Sequence, residues 1–193
     1  MSERAPHSIF GALLRDLVAW LDAARVEGVV IGGLAASILG RPRATRDVDL
    51  LVVLAPEQWP EFLAIAGRFG FHARVPDPLD LAERIRVLLL RHEPSAIDLD
   101  VSLGGLPFEE EAVARGSRVD VEGVKVPLVS AQDLLVMKAV AHRPRDLADI
   151  EAVLDRNPGL DLGRAQEWLR EFSAALDRPE IFDDFQKIVR KRR

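Results

Sequence analysis

The sequence predicts an α+β fold, in which a mixed β-sheet flanked by helices is followed by a C-terminal helical lobe. Up to about Pro127, apolar β-branched runs alternate with segments of helical periodicity, whereas nearly everything from Ser130 onward has a helical pattern. Of the 193 residues, 48% are hydrophobic and 30% are charged, which is typical of a globular protein. We therefore expect a sheet lobe at residues 1–127 and a helical lobe at residues 128–193.

The N-terminal part of the chain is predicted to alternate helix, strand, helix and strand. Apolar residues at three- and four-residue spacing predict a helix over residues 9–26, which Gly28 ends. VVIGG predicts a short buried strand that runs into a glycine pair, and a short helix follows until Gly40. The β-branched run at residues 47–54 predicts a strand whose first residues leave the core.

The middle of the chain is predicted to add more helices and strands in alternation. Helical periodicity, proline positions and β-branched runs indicate the following elements: a helix at 57–69, a short helix or loop at 76–86, strands at 87–93 and 96–103, a helix at 106–116 and a hairpin at 119–129. Glu122 and Gly123 are expected in the turn of that hairpin.

Charge and cysteine content exclude several classes of chemistry. The chain has 26 Lys and Arg against 31 Asp and Glu, so its net charge of -5 does not favour general binding to nucleic acid. It contains no cysteine and only four scattered histidines, which excludes thiolate nucleophiles and paired-histidine metal sites. Catalysis would therefore rest on carboxylates, hydroxyls or basic side chains.

The N-terminal stretch has the wrong pattern for a targeting or membrane segment. Arg15, Asp16 and Asp22 interrupt its apolar run. We therefore expect neither a signal peptide nor a membrane span, and we expect a cytoplasmic protein.

Two pairs of aspartates are the leading candidates for chemistry. Asp47 and Asp49 are two residues apart on one predicted strand, and Asp98 and Asp100 have the same spacing on another. Because side chains alternate along a strand, each pair leaves one face, and the two strands are able to lie side by side. Neighbouring carboxylates repel unless a cation lies between them, and Mg²⁺ prefers oxygen ligands. The pairs indicate a metal site, although solvated strand ends would explain either pair alone.

A glycine pair precedes the first aspartate pair. Gly32 and Gly33 lie between a predicted strand and a predicted helix, where free backbone N–H groups are able to bind a polyphosphate. A plain tight turn would explain the same two residues.

Three ordered segments resemble the DNA polymerase β-like nucleotidyltransferase superfamily, especially its AbiEii/MenT-like group of toxins. The first segment, VIGGLAASILGRPRATRDVDLLV, resembles the family's glycine motif, short helix and RxTxDhDhhv element. The second, IDLDVSLGGLPFEEEAVARG, is similar to the strand of the third carboxylate and its following helix. The third, VPLVSAQDLLVMKAVAHRPRDLADI, is similar to the hSxxxxhhxxK and DxxDh elements. The resemblance covers roughly residues 28–155 and implies a nucleotidyltransferase-like sheet.

The resemblance also implies roles for individual residues, with an NTP as substrate and a two-ion Mg²⁺ site. The residues implied to be catalytic and to bind the metal are Asp47, Asp49 and Asp100. The residues implied to bind the nucleotide or organise its loop are Gly32, Gly33, Arg43, Thr45 and Lys138. Asp98 lies on the same face as Asp100, so either can be the third carboxylate, and Asp100 fits the pattern better. Gly33 replaces a serine found in many members, which leaves only backbone donors there.

Lys138 is expected on a helix whose apolar residues dock onto the sheet lobe, with its ammonium group free to reach phosphates. A solvated surface lysine is the alternative. Asp146 and Asp149 follow Pro144 one helical turn apart, where acids also stabilise the start of a helix. We therefore leave these two residues out of the predicted catalytic set.

The leading functional prediction is a Mg²⁺-dependent nucleotidyltransferase that moves an NMP from an NTP to an acceptor hydroxyl on tRNA or protein. The resemblance implies the toxin of a toxin–antitoxin pair, with a cognate antitoxin as a partner. One alternative is a small-molecule nucleotidyltransferase of the aminoglycoside type, because the motifs do not encode the acceptor. The other is a non-catalytic module that binds a nucleotide or a partner.

Overall fold

A computed structural model describes residues 9–192. The first eight residues, which include His7 and part of the stretch considered above for targeting, lie outside the described residues. Residues 9–192 form one mixed β-sheet with helices around it. The strands are β1 (Gly28–Ile31), β2 (Asp47–Val53), β3 (Phe71–Ala73), β4 (Val87–His92), β5 (Ile97–Gly104), β6 (Ser117–Val121) and β7 (Val124–Leu128). The α-helices are α1 (Ile9–Ala24), α2 (Gly32–Leu39), α3 (Trp59–Ala66), α4 (Pro78–Ile85), α5 (Pro107–Ala114), α6 (Ala131–Ala141), α7 (Pro144–Arg156), α8 (Gly163–Ala175) and α9 (Glu180–Arg190).

The sheet has seven strands within the described part of the chain, in the order β3-β4-β5-β2-β1-β7-β6. The pairs β2/β5 and β1/β7 are parallel, and the other neighbouring strands are antiparallel. Strand β2 lies at the centre, and residues such as Leu50 and Val52 are fully buried. Because apolar residues anchor this strand between two neighbours, its N-terminal acids are held in a fixed register with β5.

Most of the predicted elements are present, and the α+β architecture is confirmed. Three details differ from the prediction. Helix α1 ends at Ala24, and Gly28 opens strand β1 instead of ending the helix. The segment at 76–86, left open between helix and loop, contains helix α4, which begins at a proline. Strand β3 was missed, because its three residues are too few to show a period.

A large aromatic cluster joins α1 to the sheet edge. The Trp20 ring stacks on Phe62 with centroids 4.3 Å apart and lies 5.3 Å from Phe71 on β3. The Trp20 indole N–H donates to the Phe62 carbonyl at 3.0 Å, which satisfies its buried polar atom. This packing fixes the β3 edge, from which one of the arginines discussed below extends.

Secondary structure changes from strand to helix between Leu128 and Ala131. Helices α6 to α9 pack on one another, and α2 contacts β2 as well as α6 and α7, so α2 joins the helical part to the sheet. Within residues 9–192, every helix is too short or too polar to cross a lipid bilayer.

Candidate active site

A cavity of about 1030 Å³ lies where the acidic end of the sheet meets helices α6 and α7. Its polar lining includes Asp47, Asp49 and Asp100, the glycines that begin α2 and several cationic side chains. Apolar and aromatic side chains also line it. The sequence-predicted residues that line it are Gly32, Gly33, Arg43, Thr45, Asp47, Asp49, Asp100 and Lys138. The structure therefore brings all of the predicted site residues together around one cavity.

The carboxylates of β2 and β5 are side by side on one face of the sheet. In the parallel register, Asp47 is opposite Asp98 and Asp49 is opposite Asp100. Burial raises the pKa of Asp49, and the charge of Asp47 raises it further. Burial likewise raises the pKa of Asp100, although the neighbouring Arg74 opposes this effect. These aspartates therefore form a cluster in which negative charge is unfavourable without a cation.

Asp98 and Asp100 differ in their surroundings, although they share a strand and a face. Asp98 accepts from Arg91 at 2.8 Å and from Arg74 at 3.2 Å, so two guanidinium groups hold it. Asp100 lines the cavity, and Asp98 is not among the lining residues. This difference supports Asp100 as the third carboxylate, which stays a prediction.

The absence of a side chain at Gly32 makes room for Asp49. Gly32 has a φ of +66°, and a Cβ built there would lie 1.8 Å from Asp49 Oδ2. The next N–H, that of Gly33, donates to the same carboxylate oxygen at 3.4 Å. The first turn of α2 therefore lies directly against the carboxylate cluster, where a phosphate could meet both backbone donors and a metal.

Side-chain hydrogen bonds of Arg43 and Thr45 fix the loop between α2 and β2. The Arg43 guanidinium donates to both carboxylate oxygens of Asp149, at 2.9 and 3.0 Å. The Thr45 hydroxyl donates to the Asp47 carbonyl at 3.0 Å and lies 3.1 Å from its Oδ1. Both residues organise the loop that presents Asp47, whatever they contribute to phosphate binding.

The Lys138 ammonium is buried and paired, whereas the sequence predicted an ammonium free to reach phosphates, with a solvated surface lysine as the alternative. Its side chain is 7% exposed, and its Nζ lies 2.9 Å from Asp146 Oδ1 and 2.9 Å from Asp149 Oδ2. Its ammonium lines the cavity while it neutralises two buried carboxylates. Any contact between Lys138 and a phosphate stays a prediction.

Asp146 and Asp149 matter more than the sequence analysis inferred. Asp146 does lie in the first turn of α7, where it accepts from the Arg143 N–H at 3.2 Å. Burial opposes its ionisation, but hydrogen bonds from Arg143 and Lys138 prevail, so its pKa lies below the ordinary value. The signal in the sequence was a DxxD spacing that follows a lysine. We attributed these two acids to the start of a helix and therefore did not predict their pairing with Lys138.

Two further cavity residues carried no signal in the sequence. Arg46 and Arg145 are exposed and line the cavity, and neither forms an ion pair with any described residue. Positive charge without a carboxylate partner is available to bind an anion.

The comparisons with known proteins identify the family. The model of a family described as nucleotidyl transferase of unknown function (DUF2204) matches residues 12–181. The chain belongs to this nucleotidyltransferase family. The match includes every residue of the predicted site, so the enzyme class predicted from the sequence is confirmed. No curated protein matches the chain significantly.

Solved structures of nucleotidyltransferases share the fold. The antigenic nucleotidyltransferase-like protein from Paracoccidioides brasiliensis has a TM-score of 0.55 and 17% identity, with 90% of each chain covered. The antibiotic-resistance factor ANT(2'')-Ia has a TM-score of 0.50 and 17% identity, with 95% of this chain and 92% of that chain covered. At such identities the likeness concerns the fold alone.

The donor set of this nucleotidyltransferase fits a hard divalent cation in chemistry and register. Asp47, Asp49 and Asp100 offer carboxylate oxygens from neighbouring positions of two paired strands, and their mutual repulsion favours a cation. With the side chains as they stand, no three acidic or histidine residues in the described part of the chain converge closely enough to hold an ion. Asp100 is turned toward Arg74, which contacts its Oδ1.

Proposed function

We propose that this enzyme transfers an NMP from an NTP to an acceptor hydroxyl, with Asp47, Asp49 and Asp100 as the metal-binding and catalytic carboxylates. The observation that carries the proposal is the single cavity in which these acids lie directly against the glycine turn at the start of α2. In this proposal, residues 1–127 are the catalytic lobe and residues 128–193 are the helical lobe.

The chain's own groups have distinct tasks in the proposed reaction. The acceptor oxygen forms a bond to the α-phosphorus while the bond from that phosphorus to the pyrophosphate oxygen breaks. Asp100 receives the hydroxyl proton, because it lines the same cavity as Asp47 and Asp49. Backbone N–H groups at Gly32 and Gly33 bind the triphosphate. Asp47, Asp49 and Asp100 would hold two Mg²⁺ ions, which would neutralise charge on the phosphates.

The apolar part of the cavity lining provides a place for the nucleobase. Phe108 and Phe172 pack edge to face with centroids 5.4 Å apart, and both line the cavity. Leu106 belongs to the same lining and has 51% of its surface exposed. Such a surface suits the flat, apolar face of a base.

Two arginines in the cavity lining that are unpaired within the described part of the chain favour a phosphate-bearing acceptor such as RNA. Arg46 and Arg145 are exposed there without an acidic partner among residues 9–192. An aminoglycoside is a polycation, which these two arginines would repel, so we rank the small-molecule alternative second despite the fold shared with ANT(2'')-Ia. The place of the chain in the AbiEii/MenT-like toxin group, and with it an antitoxin, rests on the motifs alone.

A labelling experiment tests the reaction and its acceptor together. The enzyme is incubated with each α-labelled NTP, Mg²⁺ and either total RNA, total protein or an aminoglycoside panel. We expect label in RNA or protein, and loss of more than a hundredfold in Asp47→Asn and Asp49→Asn. Asp80→Asn, an exposed acid on α4, is the control. Label in none of the acceptors, or activity within tenfold of wild type in Asp49→Asn, would contradict the proposal.

Growth of a host strain tests the toxin assignment separately. Expression of the wild-type chain alone is expected to arrest growth, and expression of Asp49→Asn is not. Normal growth with demonstrated transferase activity would remove the toxin assignment and leave the enzyme assignment intact.

A further inference from the structure

A row of charged and apolar residues crosses four neighbouring strands beside the carboxylate cluster. The backbone N–H of Arg74, the residue after β3, donates to the Leu89 carbonyl of β4 at 2.9 Å. Leu89 is opposite Asp100 on β5, and Asp100 is opposite Asp49 on β2. Residues opposite each other in adjacent strands share a face, so Arg74 extends toward the carboxylates across β4.

The Arg74 guanidinium bridges the two aspartates of β5. Its Nη1 lies 3.2 Å from Asp98 Oδ2, and its Nη2 contacts Asp100 Oδ1. The Arg74 side chain is 28% exposed, and those of Asp98 and Asp100 are 34% and 38% exposed. Arg91 holds the other oxygen of Asp98 at 2.8 Å. Among residues 9–192, Asp98 has two cationic partners that anchor it, whereas the ion-pair partner of Asp100 is Arg74.

This arrangement divides the two aspartates into different tasks. The charge of Asp47 and the burial of Asp100 both oppose ionisation of Asp100, and Arg74 is the cation that opposes them. While its Oδ1 contacts the guanidinium, the Asp100 carboxylate is held toward Arg74, and in this arrangement no three acidic side chains of residues 9–192 converge closely enough to share a cation. Arg74 would keep its contact with Asp98 if Asp100 turned away.

We propose that Arg74 is a positioning residue of the active site, which holds Asp100 with Asp98 in the metal-free enzyme and must release Asp100 before the three-carboxylate site is complete. This inference rests on the proposed metal-binding role of Asp47, Asp49 and Asp100. It predicts that Arg74 competes with a divalent cation for one carboxylate, and that Asp98 serves to retain Arg74.

Metal affinity without nucleotide tests the proposal directly. Mn²⁺ binding is measured by titration calorimetry and by electron paramagnetic resonance for wild type and Arg74→Gln, which removes the charge but retains side-chain N–H donors. The loss of one partly exposed ion pair is expected to raise Mn²⁺ affinity by roughly fivefold. Arg74→Lys should stay near wild type. Arg84→Gln, which removes an exposed arginine paired with Asp80 on α4, is the matched control and should leave affinity unchanged.

The Arg74→Gln substitution made in Asp100→Asn shows whether Arg74 affects Mn²⁺ affinity through its contact with Asp100 or through its charge alone. If Arg74 acts through Asp100, the gain from Arg74→Gln should vanish in that background, whereas a field effect would persist. As a second measurement, the side-chain ¹⁵N resonance of Arg74 should shift when Mg²⁺ is added to wild type and stay constant in Asp100→Asn.

The outcomes distinguish this proposal from the proposed function. Equal Mn²⁺ affinity in wild type and Arg74→Gln, or an equal gain in the Asp100→Asn background, would overturn the role of Arg74 and leave the metal site standing. Absence of Mn²⁺ binding in both proteins would overturn both proposals. Mn²⁺ binding by Arg74→Gln but not by wild type would support the proposal that Arg74 competes with the cation for Asp100.

Discussion

Removal of the Lys138 ammonium is expected to destabilise the fold as well as to affect the site. Its Nζ lies 2.9 Å from both Asp146 and Asp149, whose side chains are 1% and 7% exposed. Lys138→Met keeps the apolar stem but leaves two buried carboxylates with less compensating charge. Breaking a buried ion pair from one side costs about 3–5 kcal/mol.

The remaining arginines place the expected loss at the lower end of that range. Arg43 keeps its two hydrogen bonds to Asp149, and Arg143 keeps its contacts with Asp146. We therefore expect a loss of about 3 kcal/mol in the free energy of unfolding. For a chain of this length, this corresponds to a fall in Tm of roughly 6–12 °C.

Thermal unfolding followed by calorimetry measures the effect at pH 7. Lys187→Met is the matched control, because Lys187 is 68% exposed and pairs with Asp184 at the surface, and its Tm should hardly change. The double variant Lys138→Met with Asp149→Asn should be less destabilised than the sum of the two single variants. A Tm for Lys138→Met within 2 °C of wild type would refute the reasoning.

The nucleotide-binding prediction for Lys138 is tested well below the Tm of the variant. A nonhydrolysable NTP analogue is titrated onto wild type and Lys138→Met with Mg²⁺ fixed, and we expect weaker binding by roughly tenfold or more, since hydrogen bonds to charged groups are the stronger class. Equal affinity would leave Lys138 with a structural role only.

Three further predictions concern the carboxylates and the glycine turn. Asp100→Asn should lose at least tenfold more kcat than Asp98→Asn, and equal losses in a steady-state assay would remove the distinction between them. Asp49→Asn should raise the Tm of the metal-free protein at pH 7. The pKa of Asp49 is raised in the folded protein, so its ionised carboxylate destabilises the fold at pH values above the ordinary pKa of 3.8. This gain should shrink in unfolding experiments as the pH falls toward that value, and a gain that is constant with pH would contradict it. Gly32→Ala should cost about 1–3 kcal/mol in chemical denaturation and weaken Mn²⁺ binding, because the Cβ would overlap Asp49. Gly67→Ala, where a Cβ meets nothing within 4 Å, is the control, and equal effects would disprove the steric argument.

The sequence by itself determined the order of most elements and which aspartates share a face of the sheet. Side chains alternate along a strand, so the spacing of Asp47 and Asp49 was enough to place both on one face. The Asp98 and Asp100 spacing worked in the same way, and the predicted neighbourhood of the two strands is present in the parallel register. Local periodicity and turn chemistry carry this information, because they depend on residues close in the chain.

Only the tertiary structure decided which charges meet. Arg74 reaches Asp100 from 26 residues away, and Arg43 reaches Asp149 from 106 residues away. The burial of Lys138 depends on how α6 and α7 pack against each other, which no local pattern specifies. The position of a lysine in the helical pattern is the same whether its ammonium faces solvent or two carboxylates. The sequence therefore predicted a free ammonium where the fold forms a buried ion pair. Long-range ion pairs depend on packing between distant segments, and that packing is a property of the folded chain as a whole.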